Sequence, residues 1–187
     1  EHSIVICTTT PWTIPGNRAL AVHNDIEYKS LNLKINDGNK NVIIASDLVE
    51  SFIKENKIEE YKVNFSIKGH ELTNTFCKHT LYDSGYNFEV PILHGDFVTT
   101  EQGTGIVHIC PVHGMDDFIL GKQHDLELPM TINESGIYYD HIPVFNGQHI
   151  FKVDQNVCDE IKKNNNLISQ GILVHSYPHS WRSKAPL

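Results

Sequence analysis

Apolar and polar positions along the chain alternate with the period of a strand more often than with that of a helix. Residues 28–35 place Leu31, Leu33 and Ile35 between polar neighbours, and 41–45 return as a second apolar run. Asn36-Asp37-Gly38-Asn39 lies between them and supplies residues that tolerate positive φ, so a β-hairpin is predicted. Tyr61, Val63, Phe65 and Ile67 alternate in the same way. Further strands are expected at 3–9, 19–23, 71–77, 96–100 and 172–177. Helical spacing is clearest after Ser46, which is expected to cap a helix carrying Leu48, Val49, Phe52 and Ile53 on one stripe and ending at Asn56. Two more helices are predicted over 116–124 and 153–164, the second with Val153, Val157 and Ile161 four apart. No internal repeat is visible, and Asn164-Asn165-Asn166 is too short a break for an interdomain linker. The expected fold class is α+β, mostly β: a closed or strongly curved, barrel-like core with peripheral helices, forming one domain over 1–187.

Composition narrows what such a fold does. The 187 residues carry 15 Lys and Arg against 23 Asp and Glu, a net charge of −8, which argues against a stand-alone nucleic-acid binder. Local basic character is confined to the C-terminal third, at Lys152, Lys162, Lys163, Arg182 and Lys184. No apolar run approaches the ~20 residues that cross a bilayer. The four cysteines (Cys7, Cys77, Cys110 and Cys158) form no CxxC pair, which suits reduced thiols and a cytoplasmic setting. Among twelve histidines, His108 and His113 are separated by a strand-to-turn break, and His175 and His179 by Pro178. Neither pair sits in the helical spacing that aims two imidazoles at one zinc, so no metal or cofactor is expected.

Candidate chemistry concentrates in two segments. In 103–118 an apolar strand delivers His108, Pro111 and Gly114 stop it, and Asp116 and Asp117 follow at the start of a helix, where the dipole favours negative charge. Adjacent carboxylates there point in different directions, so only one can face a pocket. Cys110, two residues from His108, has no third group to orient a Cys-His pair. In 8–17 the run Thr8-Thr9-Thr10-Pro11-Trp12-Thr13-Ile14-Pro15-Gly16-Asn17 leaves a strand with three hydroxyls and reaches an amide. That set suits recognition of a ribose, a carbonyl or a water, and equally suits a β-branched strand end with an Asn turn.

Taken together, Thr8 to Asn17, Gly103-Thr-Gly-Ile-Val-His108, His113-Gly-Met-Asp-Asp-Phe118 and His175-Ser-Tyr-Pro-His-Ser-Trp-Arg-Ser-Lys184 resemble the editing (CP1) domain of isoleucyl-tRNA synthetases, in the same order along nearly the whole chain. Thr10 and Trp12 favour the isoleucyl branch over the valyl and leucyl ones. The chain departs from the family in having Cys7 where Trp often precedes the threonines. Neither ATP-binding signature of a class I synthetase occurs, so the chain looks like a domain excised from a larger enzyme.

The resemblance implies an aminoacyl-tRNA deacylase acting on Val-tRNA(Ile), and on valyl-adenylate if editing also precedes transfer. Asp117 would bind the α-ammonium, and His108 would exclude isoleucine. Thr8, Thr9 and Thr10 would hold the adenosine, the carbonyl or the water, with Asn17 supporting their loop. Water is the expected attacker, with no covalent nucleophile and no evident general base. The implied partners are the 3′ end of aminoacylated tRNA(Ile) and a flanking catalytic domain, the domain itself being monomeric. A non-catalytic module binding an amino acid or a tRNA end, and a metal-dependent hydrolase using the histidines, are the alternatives.

Overall fold

The hairpin is the backbone of a four-stranded sheet. The computed structural model describes residues 2–35, 38–172 and 179–182, and in it strands β1 (Ser3–Ile4), β2 (Ala19–Val22), β3 (Glu27–Ile35), β4 (Gly38–Ala45) and β5 (Tyr61–Lys68) follow in order. β3 and β4 pair antiparallel from Tyr28↔Ala45 to Ile35↔Gly38. Half of the expected turn, Asn36 and Asp37, lies outside the described residues. The first sheet runs β1-β4-β3-β5. The second runs β6-β7-β2-β8, where β6 is Phe76–Lys78, β7 is Glu89–His94 and β8 is Val107–Ile109.

Side-chain alternation explains how the layers stack. Tyr28, Ile43 and Ala45 point from the first sheet toward Leu20, Val22, Val90 and Ile92 of the second, forming a shared core. Leu31, Leu33, Val42 and Ile44, of opposite parity, pack with Val49 and Phe52 of helix α1 (Val49–Glu55). Ala19, Ala21, Leu93 and Ile109 leave the outer face of the second sheet and meet Leu120 of α3 (Met115–Gln123). A short α2 (Gly69–Leu72) precedes β6, and α4 (Ile150–Lys163) packs Val153 and Val157 with Ile14, Leu81, Tyr138 and Phe145. At several kcal/mol for a few fully buried side chains, these clusters dominate the stability of each layer.

The mixed, strand-rich class is as expected, but the closed barrel is not: both sheets are open. Period-two patterning reports that one face is buried and says nothing about whether edge strands meet, and β1 and β8 are two and three residues long. Local expectations also shift. The strand expected over 3–9 ends at Ile4, after which only Val5 N–H still reaches Ile43 O (3.3 Å). Ser46 does not cap α1; its hydroxyl donates to Glu27 Oε1 (2.9 Å), and a 3₁₀ turn over Ser46–Leu48 precedes the helix. Residues 71–77 hold the end of α2 and the start of β6, because Lys68 N–H donates to Glu71 Oε2 (2.9 Å) and closes a helical turn. At 96–100 there is a turn closed by Val98 N–H to Gly95 O (3.1 Å). The strand absent from the expectations is β7, disguised by Pro91. That proline sits opposite Phe76, while pairing with β2 begins at Ile92, so no ladder bond is lost. The expected final strand, 172–177, lies almost entirely outside the described residues.

Candidate active site

A cavity of about 490 Å³ opens between the two segments picked out by the sequence. Thr8, Thr9 and Thr10 form one wall and His108, Cys110, His113 and Asp117 the other, with Gly103 to Ile106 between them. Two glycines make this possible. Gly105 adopts φ +71°, and a Cβ there would stand 2.4 Å from the Ala45 Cβ, while its carbonyl accepts from Tyr28 Oη (2.9 Å). Gly16 lets the 3₁₀ turn Pro11–Gly16 lie against Cys110, whose Sγ would be 2.5 Å from an added Cβ.

Asn17 does not line the cavity. It follows the 3₁₀ turn, buried, and the two hydrogens of its amide nitrogen are shared among Ala19 O (2.8 Å), His108 Nδ1 (2.7 Å) and Ile109 O (3.2 Å). The two carbonyls identify that end of the amide as the NH₂, so His108 Nδ1 is an acceptor and Nε2 carries the proton. Nε2–H then donates to Thr13 Oγ1 (2.9 Å), and the Thr13 hydroxyl donates to Thr10 O (3.0 Å). One polar chain thus runs from the sheet through His108 to the threonine wall. Burial, then the nearby His79 and His113, lower the His108 pKa to about 4, so the ring is neutral at pH 7. Strand pairing places it: β8 runs antiparallel to β2, with His108 opposite Leu20. Thr13 lies within the 8–17 run, but its residue type alone gives no sign of this role.

The adjacent carboxylates separate sharply. Asp116 is exposed, whereas Asp117 is half-buried and lines the cavity one residue further along α3. Asp117 Oδ2 accepts from Cys110 N–H (2.7 Å), which aims the carboxylate. Burial raises its pKa above 3.8, opposed by that bond, with Asp116 adding to the rise. The Cys110 thiol is pushed up to about 12 by burial, so it stays protonated and is no nucleophile near neutral pH.

The threonine wall is looser. Thr10 N–H donates to Thr8 Oγ1 (3.1 Å), and the two hydroxyls lie 3.3 Å apart, all solvent-exposed. Trp12 N–H donates to Asp154 Oδ1 (3.1 Å), and the indole meets the His113 ring edge-on at 4.7 Å. His79, buried behind this turn, has Leu81 N–H on Nδ1 (3.1 Å) and Ile14 O facing Nε2 (3.0 Å), a structural role.

Of the histidine pairs weighed for metal, the one that includes His108 has both nitrogens of that ring bonded, and His175 of the other lies outside the described residues. His23, His94 and Asp96 do cluster, within 4.8 Å of one another. Their Nδ1 atoms accept from Asp25 N–H (3.2 Å) and Asn24 N–H (3.3 Å), which leaves protons on the converging nitrogens. His94 Nε2 spends its proton on Asp96 Oδ1 (3.0 Å).

The pocket thus lies on open sheets, between a threonine turn and a carboxylate at a helix start. The sequence model of the leucyl-tRNA synthetase editing domain matches residues 1–177. The isoleucine–tRNA ligase of Pelagibacter ubique is 46% identical over 98% of the chain, and that of Gluconobacter oxydans 41% identical over 99%. The chain spans 21% of the length of each. In structure it is similar to GlLeuRS-CP1 (TM-score 0.68, 16% identity, 95% of this chain and 85% of that one). It is also similar to the editing domain of the P. knowlesi cytosolic leucyl-tRNA synthetase (TM-score 0.61, 15% identity, 88% and 82%). The chain belongs to the editing-domain family of class I aminoacyl-tRNA synthetases, in its isoleucine–tRNA ligase branch. It is a deacylase module of that family. No helix among the described residues is long and apolar enough to cross a membrane.

Proposed function

We propose that residues 1–187 form one editing domain that hydrolyses the ester of Val-tRNA(Ile), and valyl-adenylate where editing precedes transfer. The observation that carries this reading is Asp117: a carboxylate desolvated in the cavity wall and aimed by the Cys110 N–H. An α-ammonium placed there forms a charge-assisted bond worth about 1.5–3 kcal/mol. His108, held at both nitrogens, is a rigid neutral wall suited to excluding the extra methylene of isoleucine. Thr8, Thr9 and Thr10 face it and offer hydroxyls to the ester carbonyl, the terminal adenosine or the water. The need for such a site is a known property of isoleucyl enzymes, whose synthetic pocket prefers isoleucine to valine by only ~150-fold.

The partners on this reading are the 3′ end of aminoacylated tRNA(Ile) and a flanking catalytic domain, in the cytoplasm. A net charge of −8 fits a module that receives a short single-stranded end while other parts hold the tRNA. The test is deacylation of Val-tRNA(Ile) and Ile-tRNA(Ile) side by side. Rapid loss of the valyl ester alone is expected, and equal hydrolysis of both sinks the reading.

A further inference from the structure

Ester hydrolysis by water needs somewhere for a proton to go, and most groups around the cavity are already committed. Both ring nitrogens of His108 are bonded, to Asn17 and to Thr13. Asp117 is the ammonium partner on the deacylase reading, and one of its oxygens is held by Cys110 N–H. Threonine hydroxyls are too weakly basic, and the Cys110 thiol keeps its proton.

His113 is different. It lines the same cavity, half-buried, in the turn that joins β8 to α3, closed by its own N–H to Cys110 O (2.9 Å). The Trp12 indole fixes the ring plane from one side, and Thr131 Oγ1 meets Nε2 (3.2 Å) from the buried side. Nδ1 has no hydrogen-bond partner among the described residues. Nε2 and Thr131 Oγ1 share one hydrogen, and in the tautomer in which Nε2–H donates to that hydroxyl the lone pair sits on Nδ1.

We propose that His113 is the general base of this pocket, taking on Nδ1 the proton of the attacking water. The inference rests on the deacylase reading and adds to it the group that reading lacked. As the water oxygen bonds to the ester carbonyl carbon, its proton passes to the ring. The tetrahedral intermediate then collapses, the bond to the ribose oxygen breaks, and that oxygen takes the proton back from the imidazolium. Free valine and a hydroxyl-ended tRNA leave, and the ring is again neutral. Burial keeps the ring below its ordinary 6.5, so the proton-accepting form prevails at pH 7. The titratable groups that share the cavity with it are His108 from β8, Cys110 in its own turn and Asp117 from α3; Trp12 and Thr131 are uncharged neighbours.

The test uses the full-length protein carrying this domain, with His113→Asn, His113→Gln and His113→Gly. Single-turnover deacylation of Val-tRNA(Ile) is expected to fall by ~10²-fold or more in the Asn and Gln variants, the usual contribution of a general base. Binding of a non-hydrolysable valyl-adenosine analogue should stay within about 2-fold, the acid limb of the pH–rate profile below 6.5 should vanish, and added imidazole should restore part of the rate of the Gly variant. Rates within about 3-fold of wild type with the acid limb intact overturn the proposal and leave the deacylase reading standing. A joint loss of analogue binding and rate without imidazole rescue makes His113 a packing residue and also overturns it. A wild-type protein that leaves Val-tRNA(Ile) intact removes the deacylase reading and this base with it.

Discussion

The two walls of the cavity are built on opposite principles. The His108–Asp117 wall is tied to backbone from two elements: Asn17 joins His108 to two sheet carbonyls, and Cys110 N–H holds the carboxylate. The Thr8–Thr10 wall follows a two-residue strand and, among the described residues, bonds only to itself and, through Thr10 O, to Thr13. A group that must discriminate one methylene has to be immobile, because a wall that yields by half an ångström admits the larger side chain. Groups that contact a ribose or a moving carbonyl gain from adjustability. The difference assigns exclusion and charge recognition to the frozen wall, and accommodation to the loose one.

That division breaks most visibly in acid. The pKa values of His79 and His108 are both lowered by burial to about 4, against an ordinary 6.5. Because the unfolded chain takes up protons first as pH falls, this stability is complete above 6.5 and is lost progressively down to about 4. The loss is about 3 kcal/mol at His79 alone. Urea midpoints at pH 7.5, 5.5 and 4.5 should fall steeply; a flat series would mean the rings are not held neutral.

Next in size is the carboxylate. Asp117→Asn preserves an acceptor for Cys110 N–H but removes the charge, and should lower kcat/KM for Val-tRNA(Ile) by about 10- to 100-fold with little change in stability. Asp116→Asn, at an exposed site, should stay within about 3-fold, and equal losses would erase the distinction between them.

Asn17→Ala leaves Ala19 O, Ile109 O and His108 Nδ1 without their shared donor, a cost of about 1–3 kcal/mol or ~2–10 °C in Tm by calorimetry. Thr8→Ala loses two exposed bonds, to the Thr10 N–H and hydroxyl, and should cost under about 1 kcal/mol while altering KM; a stability loss matching that of Asn17→Ala would show the threonine wall to be equally rigid.

Much of the frozen wall was legible one residue at a time. A strand carrying His108, a Pro/Gly stop and an acidic pair at a helix start are all readable, because propensity, turn chemistry and the helix dipole are local. Residue pattern alone left Asp116 and Asp117 open and the resemblance pointed to Asp117; the structure puts Asp117 half-buried in the cavity wall and leaves Asp116 exposed. Thr13 was missed because its contact with His108 spans 95 residues and obeys no spacing rule. His113 was weighed only as a metal ligand, since a histidine in a turn has no sequence signal for which nitrogen is free.

The sequence by itself determined the strand-rich character, the hairpin, the helices expected over 116–124 and 153–164 and observed at 115–123 and 150–163, and the two segments that bear the chemistry. Each follows from periodicity or residue type within about a dozen positions. Tertiary structure alone decided that the sheets stay open, that a strand through Pro91 pairs on both sides, and that Asn17, His108 and Thr13 join into one hydrogen-bonded chain. Those outcomes depend on which distant edges and donors meet, and that information resides in packing rather than in any local stretch of the chain.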